Sequence, residues 1–345
     1  MPQNPRSANR TDRSSAASTA AEGSAPTSAN GFDLASGSPP PVTRAREISF
    51  ESEATLDQAL DGILHAGLRH LLENQPAAED GRDPEGIHQY RVALRRLRSL
   101  LGLIRFFAPS PQLDAFREDA RWLMSNLNDA RDWDVFVTQT LPMIAQACPS
   151  IDGFGVLGLA AEEQRMTAYD KARAAIADPS TGRFQATLGL WVEQKGWRAD
   201  ASPGGRDLLS APGRVFAAEV LDKLHRKASK RGRRFRKLAP QERHKLRIAV
   251  KKLRYASDFF IPLLAKSERN RRYARSLSAL QDRLGRYNDM AVTERLVQSL
   301  LEGKLPVAAH LAAGALLGWQ AGHLSRDDSD LVAAWKKFRS RRPLR

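Results

Sequence analysis

From residue 54 onward, apolar residues return at intervals of three and four. Leu56, Leu60, Ile63, Leu64, Leu68, Leu71 and Leu72 set the pattern, which lays one apolar stripe along a helix. Comparable stripes run through 86–107, 112–127, 133–147, 155–177, 183–197, 213–237, 240–265, 270–284, 289–302, 305–324 and 329–338. Prolines fall mainly between these stretches, at Pro84, Pro109, Pro111, Pro149, Pro179, Pro203, Pro212 and Pro240. There they end one helix or open the next. No run of alternating β-branched residues predicts a sheet, so the chain is expected to be all-α. Trp191, Trp197, Trp319 and Trp335 occupy apolar positions of these patterns and are expected in the core. The longest near-apolar stretch, Leu311 to Trp319, is too short to cross a bilayer, and a soluble, cytoplasmic protein without membrane insertion is expected.

Residues 1–46 differ. They are rich in Ser, Ala, Pro, Gly and Asn and carry almost no large apolar side chains. Such a segment cannot bury enough surface to offset its ordering entropy, and it is expected to be disordered. It has Arg6, Arg10 and Arg13 but no apolar run behind them, so it does not read as a secretory signal.

The helical part contains a repeat. Gly86-Ile-His-Gln-Tyr-Arg-Val-Ala-Leu-Arg-Arg-Leu-Arg98 aligns with Glu242-Arg-His-Lys-Leu-Arg-Ile-Ala-Val-Lys-Lys-Leu-Arg254 at an offset of 156 residues. Leu127-Asn-Asp-Ala-Arg-Asp132 aligns with Leu284-Gly-Arg-Tyr-Asn-Asp289 at an offset of 157. Two runs at nearly one offset predict a duplicated helical bundle, here divided as 47–202 and 203–345.

At about 100° per residue, His88, Arg91, Arg95 and Arg98 fall within an arc of about 80°. Leu94, Leu97, Leu100, Leu101 and Ile104 lie on the opposite side. In the second copy His244, Arg247, Lys251 and Arg254 form the basic stripe, and Leu246, Ala249, Val250, Leu253 and Phe260 the apolar one. Arg96 and Lys252 flank the stripes. The helix before the second stripe adds Lys223, Arg226, Lys227, Lys230, Arg234 and Lys237 along one side. Like charges stacked this way oppose helix formation, so a polyanion running along the stripe is expected to compensate. Arginine offers a planar fork for two phosphate oxygens, lysine a mobile point charge and histidine a donor that depends on pH. Neither His88 nor His244 has a second ligand at i+4, which disfavours a metal.

Charge narrows the partner further. The 345 residues carry a formal charge of +15, with a pI near 10.3, and 42% are apolar, enough for a sizeable core. Residues 223–254 hold fifteen Lys or Arg against the single acid Glu242, so nearly all of the excess sits there. A second basic run, Lys336 to Arg345, reads as a solvated tail. The one cysteine, Cys148, excludes an internal disulfide, and no zinc spacing or cofactor motif is present. Asp129, Asp132 and Asp134 beside Arg131, and Asn288 and Asp289 after Arg286, read as caps and ion pairs. Acid/base or magnesium chemistry is the lesser reading, because the second copy lacks the full set of acids.

Together the two His-x-x-Arg runs, Ala130-Arg-Asp-Trp-Asp-Val135 and Leu280-Gln-Asp-Arg-Leu-Gly285 resemble the CHAD family, the conserved histidine α-helical domain. The resemblance covers roughly residues 50–345. It implies two related helical bundles enclosing a basic central channel that binds inorganic polyphosphate, often at polyphosphate granules. The ligand-binding positions it implies are His88, Arg91, Arg95, Arg98, His244, Arg247, Lys251 and Arg254, with Arg96 and Lys252 beside them. Many relatives carry a triphosphatase tunnel domain with an acidic Glu-x-Glu-x-Lys strand. Here Glu51-Ser-Glu53 is followed by Ala54 and Thr55, with no run of strands, so no activity is expected to be inherited.

Three functions therefore compete. Non-catalytic polyphosphate binding leads. Nucleic-acid binding by the 223–254 cluster is second, weakened by stripes with few aromatics for base stacking. A phosphohydrolase or kinase is third, with no phosphate loop, zincin helix or nucleophile elbow to support it.

Overall fold

The computed structural model describes residues 37–342, the side chains of 324–328 excepted. Helix α1 (Leu56–Asp80) opens on a capping box: the Thr55 hydroxyl accepts from the Gln58 amide, and the Gln58 side chain accepts from the Thr55 N–H at 2.9 Å. It ends at Gly81, whose φ of 72° is the left-handed cap that glycine adopts without strain. Helix α2 (Pro84–Ile104) starts with Asp83 as N-cap and Pro84 in its first turn. Next come α3 (Pro111–Asn126), α4 (Asn128–Val135), a π-helical turn (Phe136–Thr140), α5 (Leu141–Ala147) and α6 (Phe154–Ala177). The π turn precedes Pro142, which has no N–H for the regular ladder.

Three helices, α7 (Pro179–Glu193), α8 (Gly196–Ala199) and α9 (Pro203–Ser210), connect the two repeats. The second repeat has α10 (Gly213–Arg231), a 3-10 turn (Phe235–Lys237), α11 (Pro240–Phe260), a 3-10 turn (Ile261–Leu263), α12 (Glu268–Leu301) and α13 (Val307–Arg339). Helices α2 and α11 each span 21 residues and each carry proline in the first turn. Among the described residues there is no strand, only an isolated bridge between Thr55 and Pro212. No helix among them is long and apolar enough to cross a membrane.

The pairs α1–α2, α10–α11 and α12–α13 pack most closely, and α2 also lies against α11 across the repeats. One apolar core joins both repeats, from Leu56 in α1 to Phe338 in α13. Burying each such side chain stabilises the fold by about 1.5–3 kcal/mol. Trp191, Trp197 and Trp335 are buried, whereas Trp319 is half-buried and stacks on His323 at 3.6 Å. The Trp197 indole donates to Asp57 at 2.8 Å, tying the connector to α1.

Several boundaries depart from the sequence pattern. The expected helices 270–284 and 289–302 are one helix, α12, that passes straight through Gly285. A glycine there costs about 1 kcal/mol. The apolar face that runs from Tyr273 through Leu284 to Leu300 outweighs it. The expected helices 305–324 and 329–338 are likewise one, because α13 lies along α12. Conversely, the helix expected over 213–237 stops at Arg231. Gly232 abuts the Trp335 ring too closely to carry a side chain, and Phe235 turns inward to stack on that ring at 5.1 Å. The basic run at the end of the chain is not simply a tail: α13 reaches Arg339, and Phe338 is fully buried.

The expected disordered segment falls outside the described residues for 1–36. Its last stretch is tied down instead. The Thr43 N–H donates to the Asn74 side chain at 3.0 Å, and Asn74 donates back to the Thr43 hydroxyl at 2.9 Å.

Candidate anion-binding site

The apolar stripes of α2 and α11 are buried against their own repeats, with Leu94, Leu100, Ile104, Leu246, Val250 and Leu253 at 0–1% exposure. That burial fixes the rotation of both helices. The basic stripes are thereby left where α2 and α11 approach one another, and the Arg96 guanidinium sits 5.2 Å over the Phe259 ring across that seam.

Lys251 marks the centre. Burial, and then Arg95, Arg247, Arg91 and Arg98, push its pKa down to about 8. Three of those four cations come from the other repeat. Arg91 is pushed down to about 10 by burial and then by Arg95, with Asp132 opposing. Arg247 is lowered by burial and by Arg95, with Asp289 opposing. The Arg91 Nη2 donates to the Asn128 side chain at 2.6 Å, but its buried Nε has no acceptor, and neither has the buried Nε of Arg95. Buried donors are normally satisfied, so a cluster of cations with open donors is a site shaped for an acceptor that brings negative charge.

The flanks differ. Arg98 donates to the Arg117 carbonyl at 3.3 Å and is lowered by burial and by Arg117. Lys252 is exposed and is lowered by burial, then by Lys227, Arg117, Arg231 and Arg98. These five cations form one shoulder of the seam. Arg254 is lowered by burial and by Arg96, and it pairs with Asp258 one turn on. Lys227 thus joins the cluster; Lys230 on α10 and Arg234 in the turn after it are exposed.

The two histidines are not equivalent. His88 is half-buried, and burial followed by Arg131, Arg95 and Arg91 drives its pKa down to about 4, against the pull of Glu85. His244 is exposed on α11. Arg117 and Arg231 lie outside the repeated runs, whereas Arg131 lies in one and reads there as a partner of the neighbouring acids; each reaches the seam from a neighbouring helix.

The acids sit at the same seam, already engaged. Asp132 accepts from Arg295 of the second repeat at 2.8 Å. Desolvation in the cleft raises both Asp132 and Asp289; Arg91 and Arg295 oppose it at Asp132, where Asp129 adds to it, and Arg247 opposes it at Asp289, where Asp132 adds to it. The two carboxylates are the repeat-related pair, so the seam is pseudo-symmetric down to its acids. Asp134 is fully buried and accepts from Arg165 at 2.8 Å and from the Tyr169 hydroxyl at 2.8 Å. Among the described residues no group of three or more His, Cys, Asp or Glu is arranged to hold a metal ion.

Comparisons with known proteins agree with this architecture. Residues 62–298 match the family model described as CHAD domain. The crystal structure of the CHAD domain from the plant Ricinus communis is similar at 32% identity, over 88% of this chain and 98% of that one, with a TM-score of 0.74. PptA from Streptomyces chartreusis shares the fold at 15% identity, over 82% of this chain and all of that one, with a TM-score of 0.58. No curated protein matches the chain.

Proposed function

The chain belongs to the CHAD domain family, and we propose that the seam between α2 and α11 is a basic channel that holds inorganic polyphosphate without reacting with it. The observation that carries this reading is Lys251 set among Arg91, Arg95, Arg98 and Arg247, with the Nε donors of Arg91 and Arg95 open. A linear phosphate polymer supplies what the site lacks: closely spaced charge and acceptors along a line. Arginine forks take pairs of oxygens, and bound phosphate favours the charged forms of Lys251 and His88, which burial and the neighbouring cations disfavour in the free protein. The setting proposed with this function is the cytoplasm, at polyphosphate granules; a fluorescent fusion that fails to colocalise with granules overturns that part.

Titration with medium-chain polyphosphate at low salt is expected to give tight binding that weakens steeply toward physiological salt, because counterions are released. Absence of binding at low salt sinks the proposal. Single-stranded DNA is expected to displace the polymer only weakly. Phosphate release with magnesium, lost in Asp132→Ala, would overturn the non-catalytic reading.

A further inference from the structure

A second basic feature lies outside this seam, on the outer face of the second repeat. Helices α12 and α13 leave a groove between them made of two adjoining cavities, of about 450 Å³ and 480 Å³, that share Arg272 and Arg341. Arg269 and Arg283 mark its two ends on α12. They are fourteen residues apart, a length of about 21 Å at about 1.5 Å per residue. Small side chains, Ser276, Ala279 and Ala333, line the middle, and Lys337 and Arg341 stand on the α13 wall. We propose that this groove is a second anion-binding site, which holds a separate stretch of a linear phosphate polymer.

Three observations support it. First, the cations are far from neutralised within the protein. Glu268 serves Arg271, Arg272 and Arg275 together, at 2.9, 3.3 and 2.6 Å. Asp330 approaches Arg283 only to 3.5 Å, and the buried Nε of Arg283 has no acceptor. Second, helix electrostatics does not account for the arrangement. Lys336, Lys337 and Arg339 suit the negative C-terminal end of α13, but Arg269, Arg271 and Arg272 crowd the positive N-terminal end of α12, where cations are disfavoured. Third, the wall is braced: Arg341 donates to the Arg272 carbonyl at 2.8 Å, so the end of α13 is stitched to the start of α12.

The lining decides the ligand class. The aromatic rings of this region, Trp335 and Phe338, point into the core at 4% and 0% exposure, which leaves no platform for stacking bases. A narrow strip of guanidinium and ammonium groups over small side chains fits an unadorned phosphate chain better than a nucleic acid. The identity of the polymer rests on the polyphosphate reading of the seam; the existence of the groove does not.

The test titrates the full chain with a short polyphosphate of defined length at low salt. Two binding events per chain are expected. Arg272→Glu with Lys337→Glu, both at exposed positions, is expected to weaken one event by more than about tenfold and leave the other. Arg91→Glu with Arg247→Glu is expected to do the reverse, and circular dichroism checks that each variant keeps its helices. A single event in the native protein overturns the proposal, as does a groove variant that weakens both events in parallel. So does stronger displacement of the outer ligand by single-stranded DNA. Two events that survive Arg91→Glu with Arg247→Glu would overturn the channel reading and leave the groove standing.

Discussion

The two repeats present nearly the same basic stripe and hold it in different ways. In the first, Arg91 is buried at 8% exposure and anchored to Asn128, and His88 is half-buried and driven toward its neutral form. In the second, Arg247 is more open and His244 is exposed. The alignment that pairs Leu127 with Leu284 puts Gly285 where the first repeat has Asn128. The anchoring amide is therefore missing from the second repeat. The first repeat offers a pre-set wall and the second an adaptable one. A linear polymer without fixed conformation suits that combination: one side sets the register and the other follows the chain.

The strongest test of the comparison removes the equivalent arginine from each wall. A charge-assisted hydrogen bond contributes about 1.5–3 kcal/mol, so Arg91→Glu with Arg247→Glu is expected to lower polyphosphate affinity by about a hundredfold or more. Calorimetric titration measures it. If one of the two single reversals already accounts for the entire loss, the polymer uses only one wall.

Lys251 belongs to the second repeat but sits in the field of the first. Its folded pKa of about 8 lies below the ordinary lysine value of 10.5, so between those values the unfolded chain holds more protons and stability rises with pH. Below about pH 8 the folded protein bears the full cost of the charged amine. Lys251→Met keeps the stem and removes the charge. It is expected to stabilise the free protein at pH 7 by on the order of 1–2 kcal/mol, a figure reduced for partial solvent screening. Binding is expected to weaken by about tenfold for one lost contact. Thermal denaturation at pH 7 and near pH 10 separates the two effects, since the stability gain should vanish at the higher pH. A gain that persists there would mean the amine is not strained by its neighbours.

Much of this was legible in the sequence. The duplicated His-x-x-Arg run located α2 and α11, and the apolar stripe on each fixed which side faces the seam. What could not be read depends on pairs far apart in the chain. Gly285 looked like a helix end because local propensity weighs it as a breaker, while the packing of α12 on α13 overrides that preference. Arg234 looked continuous with the α10 stripe because nothing local announces that Gly232 must make way for Trp335. Arg117 carries no signal of its own, and Arg131 reads locally as a partner of the acids around it: only folding brings them beside Arg98 and His88. The outer groove was hidden for a related reason. Its cations come from two distant stretches of chain, and the run from Lys336 reads as a solvated tail until folding sets it against α12.

Acid pH distinguishes the walls through their histidines. His88 is neutral in the free protein at neutral pH, and bound polyanion favours its charged form. Binding therefore takes up a proton, and affinity rises as pH falls, by at most about tenfold per pH unit for one group. His88→Gln is expected to flatten this rise, whereas His244→Gln leaves it nearly intact. The polymer's own titration is common to all variants and cancels in the comparison. Equal flattening by both substitutions would show that the histidines are equivalent once the ligand is bound.

The smallest expected effect is the most specific. If Asn128 makes the first wall rigid, Gly285→Asn should partly confer that property on the second. A Cβ at Gly285 meets only the Asp289 carboxylate, at 3.9 Å, so the site has room. Asparagine also forms helix slightly better than glycine, so the fold should not suffer. The new amide oxygen would hold Arg247 as Asn128 holds Arg91, and the second wall would lose part of its freedom to follow the polymer. Two opposing consequences meet here: preorganisation saves ordering entropy, while an occupied donor must exchange its partner on binding. One hydrogen bond from a charged donor amounts to about 1.5–3 kcal/mol, most of it regained when the donor exchanges partners on binding, which leaves a change in affinity of a few-fold. A decrease, measured by competition against the native protein, is the expected sign, because the Arg247 donors are needed by the ligand. An increase would mean that register, not adaptability, limits binding, and the two walls would then differ by history alone.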